Sequence, residues 1–146
     1  MNGVCLHALC IEKPLVSLSA YEHHLACVTL DSTPLFKCQN LKLTVYSLSG
    51  HTLDTCHTLA LPLSVGAFLK HLHYSSEGML VSQDTHGLIR ALVAHNYWTL
   101  LHDNDHRIQH KGTKQFYLMA VNDYQLLGTF LPPDEEPAVM PKPVLT

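Results

Sequence analysis

Turn-forming residues recur so closely between positions 68 and 101 that only short strands fit between them. Apolar and polar residues alternate within these segments, a pattern typical of half-buried strands. We expect four strands, at residues 68–74, 79–83, 88–93 and 97–101, joined by turns at 75–78, 84–87 and 94–96. Turns this short leave no room for the crossovers that parallel strands need. The meander therefore predicts an antiparallel all-β fold, and four strands per unit favour a propeller over a sandwich or barrel.

Five residues of this meander stand out as candidate structural or binding positions. Gly78 and Gly87 lie where hairpin loops need positive φ, which glycine adopts without steric cost. Asp84 opens the second turn and can accept hydrogen bonds from the amides of its own turn. Arg90 is expected either to pair with an acid across the sheet or to contact a partner. Trp98 is predicted to be a core aromatic that packs between strands.

Strand candidates also fill the chain on both sides of the meander. Residues 4–11 form an apolar run in which Cys5 and Cys10 interleave with aliphatic side chains, and we expect a buried strand there. Residues 19–22 fit a helix capping box, but the space before the next turn is short, so we interpret them as a turn before a strand. The remaining strand candidates are residues 15–18, 25–30, 41–46, 53–61, 115–121 and 125–131.

The strand candidates predict a domain over residues 1–131, followed by a different kind of segment at 132–146. Five prolines and three consecutive acids in that last segment indicate an extended chain outside the core.

Composition narrows the class of protein. Hydrophobic residues make up 47% of the chain and charged residues 14%, which predicts a folded domain. A net charge of −3 without a basic cluster argues against a dedicated nucleic-acid binder, although direct nucleic-acid contact stays open. The five cysteines are odd in number and favour reduced thiols, hence cytosol or nucleus. No apolar run approaches the roughly 20 residues that span a bilayer, so we expect no membrane association.

The spacing of several histidines is the feature of the sequence that could indicate a metal site. His71 and His73 share one strand face, but the sequence offers no evident third ligand, so we expect half-exposed strand residues. His102, His106 and His110 would align only on a helix, and the polar stretch 103–114 favours a loop. No phosphate loop or nucleophile elbow occurs. We therefore predict a protein that is not an enzyme, with no catalytic, cofactor-binding or metal site.

An ordered series of short motifs carries a family resemblance. The motifs are Leu61-Pro62-Leu63-Ser64, Tyr74-Ser75-Ser76-Glu77-Gly78, Asp84-Thr85-His86-Gly87-Leu88-Ile89-Arg90 and Trp98-Thr99. They resemble the SepB-type propeller domain of the WD-repeat and HMG-box DNA-binding protein family, known in fungi as a chromosome transmission fidelity factor. The resemblance implies a β-propeller. Since a blade takes about 40–45 residues, the chain would supply about three blades, a partial β-propeller and a fragment of a larger domain.

The same resemblance implies a function and partners. It implies a nuclear, non-enzymatic scaffold that couples the replicative helicase to DNA polymerase α–primase in the replisome, and homotrimer formation through the propeller. The helical bundle that docks partner peptides in that family would lie beyond Thr146, so the chain is expected to be a fragment or a shortened product. Two other hypotheses are a generic WD-type propeller interaction module unrelated to replication and a histidine-bearing metal or hydrolytic protein.

Overall fold

Three antiparallel sheets follow one another along the chain in the computed structural model, which describes residues 5, 7–33, 39–103, 115–122 and 125–132. The first sheet has the order β1-β2-β3-β4, the second β5-β6-β7-β8, and the third is the hairpin β9-β10. The strands are β1 (Leu15–Tyr21), β2 (His24–Leu30), β3 (Leu41–Ser49), β4 (Thr52–Leu61), β5 (Leu69–Tyr74), β6 (Leu80–Asp84), β7 (Ile89–Val93), β8 (Tyr97–His102), β9 (Gln115–Asn122) and β10 (Gln125–Leu131). The predicted all-β class is confirmed.

Alternation of side chains sets the register of the first sheet. Leu41, Leu43 and Val45 on β3 are buried, while the residues between them are half-exposed. Leu43 pairs with Val28 of β2 on one side and with Leu59 of β4 on the other. A slip of one residue would turn this apolar row toward solvent, so the burial pattern holds the pairing in place.

The second sheet follows the predicted meander closely. Gly78 and Gly87 have φ of 82° and 85°, as expected for their turns. The third turn departs from expectation, because Ala94 and His95 also adopt positive φ, at 48° and 62°. All five residues of β6 are buried, since this strand lies between β5 and β7 and is covered on both faces.

Two separate apolar layers join the three sheets. The first layer combines residues of β2, β3 and β4 with Leu72, Leu80 and Leu92 of the second sheet. The second layer joins Val81, Ile89 and Ala91 to Leu118 and Val121 of the hairpin.

The opening strands of the three sheets are neighbours: β1 lies against β5, and β5 against β9. Successive propeller blades stack in this way around an axis. The described residues therefore form two four-stranded blades and two strands of a third, in agreement with the predicted partial propeller.

One strand prediction and one turn prediction near the amino terminus were wrong. The described residues of the run 4–11 form no strand, and Cys5 and Cys10 are exposed. The described residues of this run pair with no strand of the first sheet. An apolar segment forms a strand only where it can pair with another strand, so its hydrophobicity alone was not enough. The predicted turn at 19–22 begins later than expected, because Ser19 to Tyr21 belong to β1 and only Glu22 and His23 form the hairpin.

Several predictions lie outside the described residues. These are the loop beyond Asp103, with His106 and His110, and the extended segment after Pro132. Within the described part of the chain, no helix is long and apolar enough to cross a membrane.

Candidate functional site

Asp84, at the end of β6, is the centre of a buried polar network. Its Oδ1 accepts hydrogen bonds from the backbone amides of His86 (3.0 Å) and Leu88 (3.1 Å), as the sequence predicted for its own turn. Its Oδ2 accepts from Arg90 Nη1 (2.8 Å) and from the Ser64 hydroxyl (2.6 Å) and amide (3.1 Å). Arg90 Nη2 also donates to Ser64 Oγ at 3.0 Å. The network fixes the β4–β5 connection against the β6–β7 turn.

The charges of this network are compensated internally. The Asp84 side chain is fully buried, and Arg90 is 14% exposed. Burial raises the pKa of Asp84, but hydrogen bonds from Arg90 and Ser64 outweigh it, so the pKa lies below its ordinary value. Of the two roles that the sequence left open for Arg90, the structure shows the ion pair with an acid.

Trp98 joins the outer strands of the first two blades. It is half-buried against the first apolar layer, and its indole Nε1 donates to the carbonyl of Ala60 at 3.2 Å. The sequence predicted a core aromatic, and the structure places the ring at the edge of the core.

His71 and His73 lie on the face of β5 that turns toward the hairpin. Their rings stack with centroids 5.4 Å apart, and His71 meets Tyr117 edge-on at 4.6 Å. Burial, reinforced by His73 and Lys70, lowers the pKa of His71 to about 4, and burial also lowers the pKa of His73. Both imidazoles are therefore neutral near pH 7. Among the described residues, no third His, Cys, Asp or Glu is placed to complete a metal site.

A cavity of about 450 Å³ opens between the first two blades at the opposite end from Asp84. We call it the turn pocket, because three hairpin turns surround it: β1–β2, β5–β6 and β7–β8. Its walls include Tyr21 and Tyr74, with ring centroids 5.9 Å apart, and His57 and His95, at 4.8 Å. Apolar side chains form its floor: Val45, Met79, Leu80 and Leu92.

Backbone strain is concentrated around the turn pocket. In the described part of the chain, three non-glycine residues have positive φ: Glu22 (49°), Ala94 (48°) and His95 (62°). All three line this cavity, together with Gly78 at 82°. Such conformations cost roughly 1–3 kcal/mol each and persist where the surrounding structure holds them, often at binding sites.

The β1–β2 turn is held against the β5–β6 turn by direct contacts. The Tyr21 hydroxyl donates to the carbonyl of Ser76 at 3.0 Å. A Cβ added to Gly78 would lie 2.7 Å from the Tyr21 ring, so the ring occupies the space that a side chain would need. This contact gives Gly78 a second role beyond the turn conformation predicted from sequence.

Sequence reasoning missed the turn pocket as a site. Its residues come from segments far apart in the chain, and each looks ordinary in its own strand or turn. One signal was present: the turn at 94–96 contains no glycine, the residue that adopts positive φ most readily.

Comparison with known proteins places the chain in a family. No curated protein matches it. The family model described as "Minichromosome loss protein, Mcl1, middle region" matches residues 1–146. This family is linked to replication and chromosome maintenance. Because the match covers the whole sequence, the chain belongs to the Mcl1 minichromosome loss protein family, as part of its middle region.

Proposed function

We propose that this chain is a SepB-type propeller portion of a nuclear replisome adaptor. In this role it is a non-enzymatic scaffold that helps couple the replicative helicase to DNA polymerase α–primase. The family match over residues 1–146 carries the proposal, since it ties the chain to chromosome replication. The motif series from Leu61 to Trp98 adds the likeness to the adaptor's propeller.

The distribution of apolar side chains supports a scaffold. Large apolar residues remain exposed on strands of all three sheets: Leu15 and Leu18, Tyr97, Leu100 and Leu101, and Leu127 and Phe130. Exposed apolar side chains on sheet faces and edges are suited to contact with other protein surfaces. We include among these contacts the association of three copies through the propeller.

A bridging assay with purified components tests this function. The replicative helicase is immobilised, and retention of polymerase α–primase is measured with and without the folded chain. We expect retention to require the chain, and light scattering to show a trimer of the chain. A Leu100→Asp variant tests the exposed face of β8, with Glu12→Gln as a control at an exposed charge.

The assay also separates the proposal from the generic propeller hypothesis. A folded chain that retains neither complex would overturn the replication role and leave a propeller with other partners. A chain that binds one complex but never both would overturn the coupling role.

A further inference from the structure

Side chains, rather than strand pairing, hold the β9–β10 hairpin against the second blade, because the two form separate sheets in the described part of the chain. Gln83 of β6 is buried, and its Nε2 donates to the carbonyl of Phe116 at 2.8 Å. Its Oε1 accepts from the amide of Leu118 at 3.3 Å. The Ser76 amide donates to the carbonyl of Val121 at 3.2 Å, and the second apolar layer completes the described contact. We call this contact the hairpin joint.

Histidines lie at both ends of the row of residues that faces the hairpin. The register of the second sheet places four residues side by side across its strands: His71, Gln83, Ile89 and His102. Directly paired residues point to the same face of a sheet, so the whole row faces the hairpin as Gln83 does. The ring of His102 lies 5.5 Å from that of Phe116, measured between centroids. The hairpin joint is therefore flanked by imidazoles.

These imidazoles are poorly placed to accept a proton. The Nε2 atoms of His71, His73 and His102 are buried and have no hydrogen-bond partner among the residues that the structure describes. The charges that act on His71 are those of His73, which stacks on it, and Lys70 on the same strand. Both would repel an imidazolium at position 71 when they carry a proton, so the closed joint disfavours that charge.

The strands packed against β5 do not compensate this charge. No Asp, Glu, Lys or Arg occurs in β1, β9 or β10, where Tyr117 is the titratable group beside His71. The charged residues of β6 and β7 are Asp84 and Arg90, which bind each other. Asp103 follows β8 at the opposite end of the row, and the carboxylate of Glu77 accepts from the Ser76 hydroxyl in the β5–β6 turn.

The contact between the first two blades has a different composition. None of the described members of the first apolar layer is a histidine. His57 and His95 meet beside this layer at the turn pocket, but His95 is exposed, so a proton on its ring remains in contact with water. An opening driven by acid should therefore begin at the hairpin joint.

We propose that the hairpin opens away from the second blade as a separate unit, and that protonation of His71 drives this opening while the first two blades stay packed. Opening exposes the imidazolium to water, which removes the cost of burying its charge. This inference goes beyond the scaffold role and does not depend on it.

Proton linkage sets the size of the effect. The pKa of His71 is about 4 in the closed joint, and opening returns it toward the ordinary value of 6.5. Opening therefore takes up a proton between these values and becomes more favourable as the pH falls. For one proton, the equilibrium constant for opening should rise about eightfold between pH 7 and pH 5.5.

Amide hydrogen exchange of the isotope-labelled full chain, followed by NMR, tests the proposal without any variant. The Leu118 amide reports on the hairpin joint through its bond to Gln83, and the Leu43 amide reports on the middle of the first sheet. After correction for intrinsic exchange rates, we expect lower protection at Leu118 than at Leu43. Low urea concentrations should leave exchange at Leu118 unchanged, as for a local opening. Protection at Leu118 should fall about eightfold between pH 7 and pH 5.5.

A variant identifies the group that takes up the proton. His71→Phe keeps a ring against Tyr117 but cannot be protonated, so the fall in protection at Leu118 should shrink to about twofold or less. His51→Gln, at an exposed turn position, should keep the full fall.

Three results would overturn the proposal. Equal protection and equal urea response at Leu118 and Leu43 would show that the hairpin leaves only when the whole chain unfolds. Constant protection at Leu118 in acid, or a full fall in His71→Phe, would show that His71 does not drive the opening. None of these results affects the bridging assay, so failure of one proposal is distinguishable from failure of the other.

Discussion

Two ion pairs of equal length show how burial determines the contribution of an ion pair to the stability of the fold. Arg90–Asp84 and Lys13–Asp31 both have N–O distances of 2.8 Å. The first pair is buried on the aspartate side, whereas the side chains of the second are 46% and 54% exposed. Removal of one member of a buried pair leaves a charge without compensation, but an exposed charge is solvated by water.

Truncation of each aspartate should therefore have very different effects. We expect Asp84→Ala to lower the free energy of unfolding by about 3–5 kcal/mol, since Arg90, Ser64 and two turn amides lose their acceptor. We expect Asp31→Ala to lower it by about 0–1 kcal/mol. Urea denaturation of the two variants measures both values. Similar losses in the two would show that the Asp84 network does not hold the turn.

At the scale of elements, contacts between blades matter as much as pairing within them. The edge strand β8 pairs only with β7 among the described strands, yet Trp98 connects it to β4 of the preceding blade. The ring packs on the first apolar layer and the indole N–H binds the Ala60 carbonyl. One side chain therefore joins two outer strands.

Trp98→Ala should loosen this connection. We expect the free energy of unfolding to fall by about 2–4 kcal/mol. This is somewhat less than for a fully buried tryptophan, because the ring of Trp98 is half-buried. Trp98→Phe is the matched control: it keeps an aromatic ring, loses the N–H donor, and should cost about 1 kcal/mol. Thermal unfolding followed by circular dichroism measures both. A melting temperature unchanged by the alanine variant would contradict the packing role.

The elements that sequence predicted best are those with local signals. The meander between Gly78 and Trp98 follows from turn residues and alternation, both of which act over a few positions. The run around Cys5 and Cys10 was misjudged, because an apolar segment becomes a strand only when another strand is available to pair with it.

The site could not be predicted in the same way. The Arg90–Asp84 pair depends on Ser64 from another connection, and the turn pocket depends on three hairpins meeting at one end of two blades. The sequence indicated the family of the chain through an ordered series of motifs. The arrangement of its charged residues and positive-φ turns could be seen only in the three-dimensional structure.

At the scale of the whole molecule, the two layers between blades differ in chemistry. The first apolar layer has an aliphatic centre. The second has His71 and His73 at its side, with Tyr117 and Lys70 close by. The Nε2 atoms of His71 and His73 are buried and have no hydrogen-bond partner among the residues that the structure describes. Protonation of either imidazole would place a positive charge between the second blade and the hairpin.

Stability should therefore fall in mild acid. The pKa of His71 is about 4 in the folded chain against 6.5 for the ordinary group, so the unfolded chain binds more protons between these values. The contribution of His71 to the free energy of unfolding is fully present above about pH 6.5 and is lost as the pH falls toward 4. His71→Phe should make the melting temperature less dependent on pH in this range, whereas His51→Gln, at an exposed turn, should not. Equal pH dependence in both variants would contradict a role for His71.

The contact between Gly78 and Tyr21 has a consequence for how this chain can change over evolutionary time. These positions are distant in sequence, yet the space for a side chain at one is filled by the ring of the other. A side chain at 78 would meet two obstacles, the positive φ of 82° and the ring of Tyr21, and a smaller residue at 21 would remove only the second. Related chains should therefore keep glycine at 78 even where position 21 varies, so that one blade changes freely at this contact while its neighbour does not.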